Sequence, residues 1–150
     1  MNYTLEDIFQ TLDRRHTREV REKLWNARVG IGGIGGLGSH TAVALARAGI
    51  GRLHIVDDDE VDLSNIHRQA YFLRQVGKKK TEALTEIIND INPYIQVTAD
   101  CCRVTEENIP ELFAKDGIIC EAFDLAENKA AFVNGVLTSL PEAILVSGSG

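Results

Sequence analysis

A run of glycines, GIGGLG at Gly33–Gly38, lies between a short apolar segment and an alanine-rich stretch with the period of a helix. It satisfies the pattern G-x-G-x-x-G, which joins the first strand of a nucleotide-binding domain to its first helix. Gly33 permits the tight turn, Gly35 lets the backbone approach a phosphate, and Gly38 lets helix and strand pack closely. Because the motif requires a strand, a turn and a helix in that order, it restricts the chain to α/β folds. By itself it indicates only a nucleotide, with a nicotinamide or flavin cofactor as the first choice.

Short apolar runs alternate with helical periods along the chain. This pattern predicts an α/β fold with a Rossmann-like, doubly wound and mostly parallel sheet that has helices on both faces. We expect an N-terminal helical segment at residues 1–27 and a nucleotide-binding domain at residues 28–150. The predicted strands are Arg28–Ile31, Arg52–Val56, Ile95–Ala99, Gly117–Ala122 and Ala143–Ser147. The predicted helices are Leu37–Ala48, Lys78–Ile91, a short one from a Thr105 cap to about Phe113, and Ala126–Leu137.

Two features of this pattern are unusual for a doubly wound domain. Gly30 and Gly32 weaken the first strand relative to alanine, and nothing in the sequence explains them. The chain ends directly after the last predicted strand. Because a doubly wound domain usually continues at that point, we expect further elements beyond Gly150.

Composition argues against several classes of protein. Hydrophobic residues make up 44% of the 150 residues and charged residues 25%, a balance typical of globular domains. No apolar run approaches the roughly 18 residues of a membrane span, and the N-terminus lacks a signal-peptide pattern, so we expect a cytoplasmic protein without a membrane partner. The net charge of -6 argues against nucleic acid as a partner. Cys101, Cys102 and Cys120 form no CxxC pair, so we expect reduced structural thiols and no zinc site.

A polar stretch, DDDEVDLSNIHRQ at Asp57–Gln69, follows the second predicted strand. A dinucleotide-binding domain would normally continue into a helix at this point. Asp57 follows Gly38 by nineteen residues, near the spacing of an acid that binds a ribose hydroxyl. Acids at one end of the stretch and Arg68 at the other suit a ligand with a sugar at one end and phosphates at the other.

Two further groups could serve such a ligand. Lys78, Lys79 and Lys80 fall in the first turn of a predicted helix, where the helix dipole disfavours cations unless an anion lies nearby. A solvated basic cluster is the alternative. Asp124 follows the fourth predicted strand, whose carboxyl end should lie beside that of the first strand, where the strand order reverses. Asp124 could hold magnesium at bound phosphates or cap the following helix.

Three motifs together resemble one family. They are GIGGLGS at Gly33–Ser39, D-x-D-x-V-x-x-S-N-x-x-R-Q at Asp57–Gln69, and G-x-x-K at Gly77–Lys80. The combination is similar to the ThiF/MoeB/HesA group of adenylating enzymes, relatives of the ubiquitin-activating enzymes. The resemblance extends from about Arg14 to Gly150. The run RQAYFLRQVGKKKTEAL is most similar to the short thiamine-biosynthesis ThiF proteins.

The resemblance implies that ATP and Mg²⁺ are used to adenylate a carboxylate. The substrate would be the C-terminal Gly-Gly carboxylate of a small ubiquitin-like, ThiS-like sulfur carrier, and the products an acyl-adenylate and pyrophosphate. Arg68, Lys80 and Asp124 would be the catalytic residues, with Asp124 at the metal. The implied nucleotide site comprises Gly33, Gly35, Gly36, Gly38, Asp57, Asp59, Ser64, Asn65, Arg68, Gln69 and Lys80. In that site Asp57 would hold the ribose, and Asn65, Arg68 and Lys80 would contact phosphates. A homodimer is also implied.

Two other functions fit the same sequence. The first belongs to the same superfamily, in which tRNA threonylcarbamoyladenosine dehydratases use adenylation chemistry on a modified base. The acidic net charge argues mildly against a tRNA partner. The second is a non-catalytic NAD-binding module, in which Arg68, Lys80 and Asp124 would be incidental surface residues. A preference for ATP or for NAD separates this last function from the other two.

Overall fold

The computed structural model describes residues 3–148. The strands are β1 (Arg28–Gly32), β2 (Arg52–Val56), β3 (Gln96–Asp100), β4 (Ile118–Glu121) and β5 (Ile144–Ser147). The helices are α1 (Leu5–Asp13), α2 (Arg18–Asn26), α3 (Gly38–Ala48), α4 (Lys80–Ile91), α5 (Ile109–Leu112) and α6 (Ala126–Ser139). Two short 3-10 turns, Leu63–Asn65 and Leu73–Gln75, lie between β2 and α4. The polar stretch after β2 therefore folds mainly as a loop.

The strands form one sheet in the order β3-β2-β1-β4-β5, and all the paired strands are parallel. From β1 the chain moves outward through β2 and β3, and it then returns to place β4 on the other side of β1. The prediction of a Rossmann-like doubly wound sheet is confirmed. Because the strand order reverses between β1 and β4, a crevice opens at the carboxyl ends of these two strands.

Helices cover both faces of the sheet, as predicted. The core on one face joins β1 and β2 to α3 and α4, through residues that include Ile31, Leu53, Ile55, Ala42, Ala46, Leu84 and Ile88. The core on the other face joins β2 and β4 to α5 and α6, through Val56, Ile119, Ile109, Phe132 and Val136. Burial on both faces accounts for the nearly continuous apolar character of the central strands.

The two unexplained glycines of β1 face the second core. A Cβ added to Gly30 would overlap the carboxylate of Asp116, which is 4% exposed. A Cβ added to Gly32 would lie 2.9 Å from the ring of Phe132. Both glycines therefore make room for buried side chains, which offsets the lower strand stability of glycine.

The N-terminal helices precede β1 and are linked to each other. Arg21 of α2 donates two hydrogen bonds to the Asp13 carboxylate, at 2.9 and 3.2 Å. The rings of Phe9 and Trp25 meet edge to face, with centroids 4.9 Å apart. Within residues 3–148 no helix has the length and hydropathy to cross a membrane.

Two helices begin two or three residues later than predicted. Helix α4 begins at Lys80, so the placement of Lys78 and Lys79 in its first turn is wrong. Gly77 has a φ of 88°, and the following residues run extended beside the polar stretch. The Gly77 amide donates to the Val61 carbonyl at 2.8 Å, and the Val61 amide donates to the Lys78 carbonyl at 2.8 Å. Because Gly77 and Lys78 pair with the backbone of the polar stretch, α4 begins only at Lys80.

The short helix after β3 also begins later than predicted. Its first residue is Ile109 and its N-cap residue is Asn108, so the expected Thr105 cap is wrong. Thr105 instead forms a turn with Asn108. The Thr105 amide donates to Asn108 Oδ1 at 2.8 Å, and the Asn108 amide donates to Thr105 Oγ1 at 3.3 Å. These two reciprocal hydrogen bonds have the pattern of a capping box, but they close a turn at residues 105–108, and the regular helix begins only after it.

Candidate functional site

A cavity of about 1040 Å³ opens at the carboxyl ends of the central strands. Its walls are the glycine loop, the polar stretch, the segment after β3 and the start of α6. The predicted site residues that line it are Gly33, Gly35, Gly36, Asp57, Asp59, Asn65, Arg68, Gln69, Lys80 and Asp124. Gly38 and Ser64 are not among the lining residues. The structure thus brings ten of the twelve predicted residues to one cavity, although they come from distant parts of the chain.

The glycine loop is fastened to the end of β2. The Gly33 amide donates to the Val56 carbonyl at 2.9 Å. The Asp57 carboxylate accepts from the Ile34 amide and from the Asp59 amide, each at 2.8 Å. Burial raises the pKa of Asp57, although the two amide hydrogen bonds act to lower it. Asp57 therefore shapes the loop, and a carboxylate has further lone pairs that could accept from a ligand hydroxyl.

Gly38 and Ser64 have structural roles outside the cavity. A Cβ on Gly38 would overlap the Gly33 carbonyl, so this glycine allows α3 to pack closely against the loop, as the motif requires. The amide and hydroxyl of Ser64 donate to the Asp62 carboxylate at 2.8 and 2.6 Å. These bonds cap the 3-10 turn and keep Ser64 engaged with its own segment.

Arg68 places a cation beside the glycine loop. Its Nη1 atom lies 3.0 Å from the position that a Cβ on Gly36 would occupy. The side chain is exposed, and no residue within 3–148 forms a hydrogen bond or ion pair with the guanidinium. The Arg68 guanidinium therefore offers several N–H donors beside the glycine loop, whose backbone can approach a phosphate. This arrangement is suited to an anionic ligand.

Lys80 supplies a second cation, which is buried and paired. The residue is 5% exposed, and its ammonium donates to the Asp59 carboxylate at 2.8 Å. Its amide donates to the Asp59 carbonyl at 3.0 Å, which fixes the start of α4 against the polar stretch. An ammonium has three donors, so a ligand in the cavity could share Lys80 with Asp59.

Asp124 presents an unpaired carboxylate to the other side of the cavity. The N-cap residue of α6 is Leu125, without a side-chain cap bond, so the alternative of Asp124 as a helix cap is wrong. Asp124 is exposed, and no partner for it exists among the described residues. A free carboxylate in a cavity lined with donors to phosphate is a suitable ligand for Mg²⁺.

Two amide side chains complete this wall. The Asn65 Oδ1 atom accepts from the Asp62 amide at 2.9 Å, while its Nδ2 atom has no partner in the part of the chain that the structure describes. Gln69 is 6% exposed, and its Oε1 atom also lacks a partner there. Buried polar atoms are normally hydrogen-bonded, so an unsatisfied Gln69 in the lining is consistent with a site that a polar ligand completes.

Comparison with known proteins identifies the family. Residues 10–136 match the model of the ThiF family. The chain belongs to the ThiF family. This membership confirms the resemblance drawn from the glycine loop, the polar stretch and the G-x-x-K motif.

Similar proteins include both an adenylyltransferase and tRNA dehydratases. The chain is 36% identical over 105 residues to the sulfur carrier protein ThiS adenylyltransferase of Escherichia coli, covering 69% of this chain and 42% of that protein. It is 42% identical over 97 residues to the tRNA threonylcarbamoyladenosine dehydratase of Bacillus subtilis, covering 64% and 38%. The E. coli dehydratase, solved in complex with ATP, has a TM-score of 0.89 and 30% identity, covering 100% of this chain and 63% of that chain. The chain thus spans less than two thirds of the length of each of these relatives.

The residues of this ThiF-family cavity fit ATP and Mg²⁺ in their chemistry. The glycine loop offers backbone amides, Arg68 an unpaired guanidinium and Lys80 an ammonium, which are the usual donors to phosphate. Oxygen ligands for a hard cation are present on both sides of the cavity. Asp57, Asp58 and Asp59 bring carboxylate oxygens within 4.8 Å of one another, and Asp124 is unpaired.

Sequence reasoning missed the wall formed by Cys102–Glu106 and the role of Lys129, which also lines the cavity. The Lys129 ammonium donates to the Glu121 carboxylate at 2.7 Å and to the Gly148 carbonyl at 2.6 Å. Glu121, at the end of β4, is 2% exposed. A signal was available, because a carboxylate in a buried strand requires a charged partner. Lys129, eight residues later on the following helix, is the partner that the sequence offered.

Proposed function

We propose that the chain contains the ATP-binding part of an adenylyltransferase that activates a carboxylate. The observation that carries this proposal is the unpaired Arg68 guanidinium beside the glycine loop. A NAD-binding domain does not need a cation there, because its pyrophosphate binds to backbone amides at a helix N-terminus. The relative named as an adenylyltransferase and the dehydratase solved with ATP support the same chemistry.

In the proposed reaction a carboxylate oxygen attacks the α-phosphorus of ATP. The bond from the α-phosphorus to the oxygen bridging it to the β-phosphate breaks, and its electron pair leaves with pyrophosphate. The second product is an acyl-adenylate. Since this transfer needs no protein nucleophile, the chain acts by holding the reactants in line and by neutralising charge.

The catalytic and nucleotide-binding residues have different roles in this proposal. Arg68 and Lys80 bind the phosphates and stabilise the charge that develops on the leaving pyrophosphate. Asp57 accepts from a ribose hydroxyl, and the free Nδ2 of Asn65 donates to a phosphate. Asp124 holds Mg²⁺, which when bound offsets phosphate charge.

We further propose that the activated carboxylate belongs to the C-terminal Gly-Gly of a ThiS-like carrier, in thiamine biosynthesis. The ThiS adenylyltransferase of E. coli, at 36% identity, supports this choice. The run RQAYFLRQVGKKKTEAL supports it too. We also propose that the protein acts in the cytoplasm and, as the family resemblance implies, forms a homodimer.

A second candidate is adenylation of a modified tRNA base. It is favoured by the 42% identity to the B. subtilis dehydratase and by the TM-score of 0.89 to the E. coli one. The net charge of -6 argues against it, because tRNA binding usually relies on clustered Lys and Arg.

The test is ATP–pyrophosphate exchange by the full-length protein with Mg²⁺ and a ThiS-like carrier. We expect exchange with a carrier that ends in Gly-Gly and none with the same carrier lacking those two residues. In a parallel reaction, labelled adenylate transferred to tRNA and not to the carrier would favour the dehydratase function. Absence of exchange with any carrier and of adenylate on tRNA would overturn the proposal of an adenylyltransferase.

A further inference from the structure

A buried serine joins the two halves of the nucleotide cavity. Ser39, in the first turn of α3, is 0% exposed. Its hydroxyl donates to the Gly35 carbonyl at 2.6 Å and accepts from the Ala70 amide at 3.1 Å. One oxygen thus links the glycine loop to the turn that carries Arg68, although the two segments lie about thirty residues apart in sequence.

Two further hydrogen bonds connect the same segments. The Tyr71 hydroxyl donates to the Ile34 carbonyl at 2.6 Å. A ring nitrogen of His40, Nε2, lies 3.0 Å from the Arg68 carbonyl oxygen, to which it can donate. Burial raises the pKa of Tyr71 far above its usual range, so its hydroxyl keeps its proton and remains a donor.

The guanidinium of Arg68 has no partner of its own within residues 3–148. Its position over the glycine loop therefore depends on the backbone of its turn. The Asn65 carbonyl closes that turn, and Ser39, His40 and Tyr71 tie it to the glycine loop and α3. Small displacements of a catalytic cation reduce its effect strongly, because catalysis by positioned groups depends on their geometry.

We infer that Ser39 is a positioning residue that sets Arg68 against the glycine loop, with His40 and Tyr71 as secondary supports. The inference rests on the proposed function, since it requires Arg68 to contact a phosphate of ATP. Ser39 itself does not line the cavity. It acts through the Ala70 amide and the Gly35 carbonyl, not through the ligand.

Ser139 provides a matched control for Ser39. Its hydroxyl donates to the Gly135 carbonyl at 2.6 Å, the same hydrogen bond to the residue four earlier in a helix. Ser139 is exposed near the end of α6, away from the cavity lining. A Ser139→Ala variant therefore removes the helical hydrogen bond alone, while Ser39→Ala also removes the link to Ala70.

The experiment measures ATP affinity by calorimetry, with Mg²⁺, for the wild type, Ser39→Ala, Ser139→Ala, Arg68→Ala and the double variant Ser39→Ala/Arg68→Ala. We expect Ser39→Ala to weaken ATP binding on the order of tenfold and Ser139→Ala to leave it unchanged. In the Arg68→Ala background, Ser39→Ala should have no further effect, because the group that it positions is gone. Full additivity of the two losses would show a merely structural role and overturn the inference.

A second variant, His40→Ala, tests the same inference if Ser39→Ala folds poorly. His40 is exposed, so His40→Ala should fold normally and weaken ATP binding by a few-fold, and His40→Gln, which keeps a donor, should restore part of the loss. ATP affinity unchanged in both Ser39→Ala and His40→Ala, with a clear loss in Arg68→Ala, overturns this inference and leaves the proposed function intact. A wild type that binds no ATP overturns the proposed function, and the inference with it.

Discussion

Two groups of ionisable side chains in this molecule differ in how they are paired. In β2, the His54 ring lies between two carboxylates. Its Nδ1 atom is 2.5 Å from Asp116 Oδ2, and its Nε2 atom is 2.9 Å from Asp100 Oδ2. Arg28 donates to the other oxygen of Asp116 at 2.6 Å. At the carboxyl ends of the strands, Arg68 and Asp124 are exposed and have no partner within residues 3–148.

Under the proposed function, the difference separates charges that stabilise the fold from charges that would contact a ligand. The side chains of His54 and Asp116 are 1% and 0% exposed, and ionisable groups removed from water need partners that replace hydration. Arg68 and Asp124 remain in water and need none. Unpaired charges around a cavity contribute little to stability, and the proposed function assigns these two to ligand binding. We call His54, Asp116, Asp100 and Arg28 the buried network, and the cavity that Arg68 and Asp124 line the open cavity. Changes to the buried network should therefore lower the free energy of unfolding. Changes to the open cavity should lower the affinity for ATP.

The largest effect is expected for Arg68→Ala. Pyrophosphate exchange should fall by about a hundredfold or more, because a preorganised donor to developing charge is lost. The free energy of unfolding should change by less than about 0.5 kcal/mol, as for other exposed side chains. Exchange kinetics and urea denaturation measure the two quantities.

Arg74→Ala is the control for this prediction. Arg74 is also exposed and lies in the same part of the chain, but its guanidinium packs over the Phe72 ring at 5.0 Å and does not line the cavity. Its exchange rate should match that of the wild type. An equal loss of exchange rate in Arg68→Ala and Arg74→Ala would contradict a specific role of Arg68 in the cavity.

Asp116→Ala should have the opposite profile. It leaves His54 and Arg28 without their shared partner, and breaking a buried ion pair in this way costs about 3 kcal/mol of unfolding free energy. ATP affinity of the folded fraction should remain that of the wild type. Asp13→Ala, which breaks the more exposed pair with Arg21, should destabilise less. A smaller loss for Asp116 than for Asp13 in urea denaturation would contradict the account.

Gly30→Ala tests the same network through the backbone. The added methyl group would overlap the Asp116 carboxylate, and overpacking of this kind costs about 2 kcal/mol. Gly117→Ala is its control, because nothing lies within 4 Å of a Cβ there. Thermal unfolding should show a clear loss for Gly30→Ala and almost none for Gly117→Ala. Equal melting temperatures would show that the strand relaxes to accept the methyl group.

The smallest effect is expected from pH. The pKa of Asp57 lies above its ordinary 3.8 because burial outweighs its amide hydrogen bonds. As pH falls through this raised pKa, the carboxylate takes up a proton and loses acceptor capacity, so ATP affinity should weaken a few-fold. Its own contribution to the free energy of unfolding has the opposite sign: it is fully present below 3.8 and is lost as pH rises through the raised pKa. Calorimetry across this range should show a weaker pH dependence in Asp57→Asn, and an identical profile would contradict the role of Asp57.

The sequence predicted the open cavity better than the buried network. Gly33, Asp57 and Asp124 each follow a recognisable strand, and parallel strands bring their carboxyl ends together, so their convergence could be foreseen. His54 lies inside an apolar strand, and its partners Asp116 and Asp100 come from distant segments. Such pairing depends on side-chain packing across strands, for which no local motif exists.

The helix boundaries that were wrong share a physical cause. Lys78 and Lys79 are kept out of α4 by backbone pairing with the polar stretch, and Thr105 is engaged in a turn with Asn108. Both competing interactions involve hydrogen bonds outside the helix itself, and helical propensity alone does not report them. The other strands and helices after residue 27 begin and end within two residues of their predicted bounds.

The central claim is that the open cavity with its unpaired Arg68 is an ATP site. Calorimetric titration of the protein with ATP and Mg²⁺, and separately with NAD, tests this claim most directly. We expect saturable binding of ATP that weakens in Arg68→Ala, and no comparable binding of NAD. Tighter binding of NAD than of ATP, unchanged in Arg68→Ala, would contradict it.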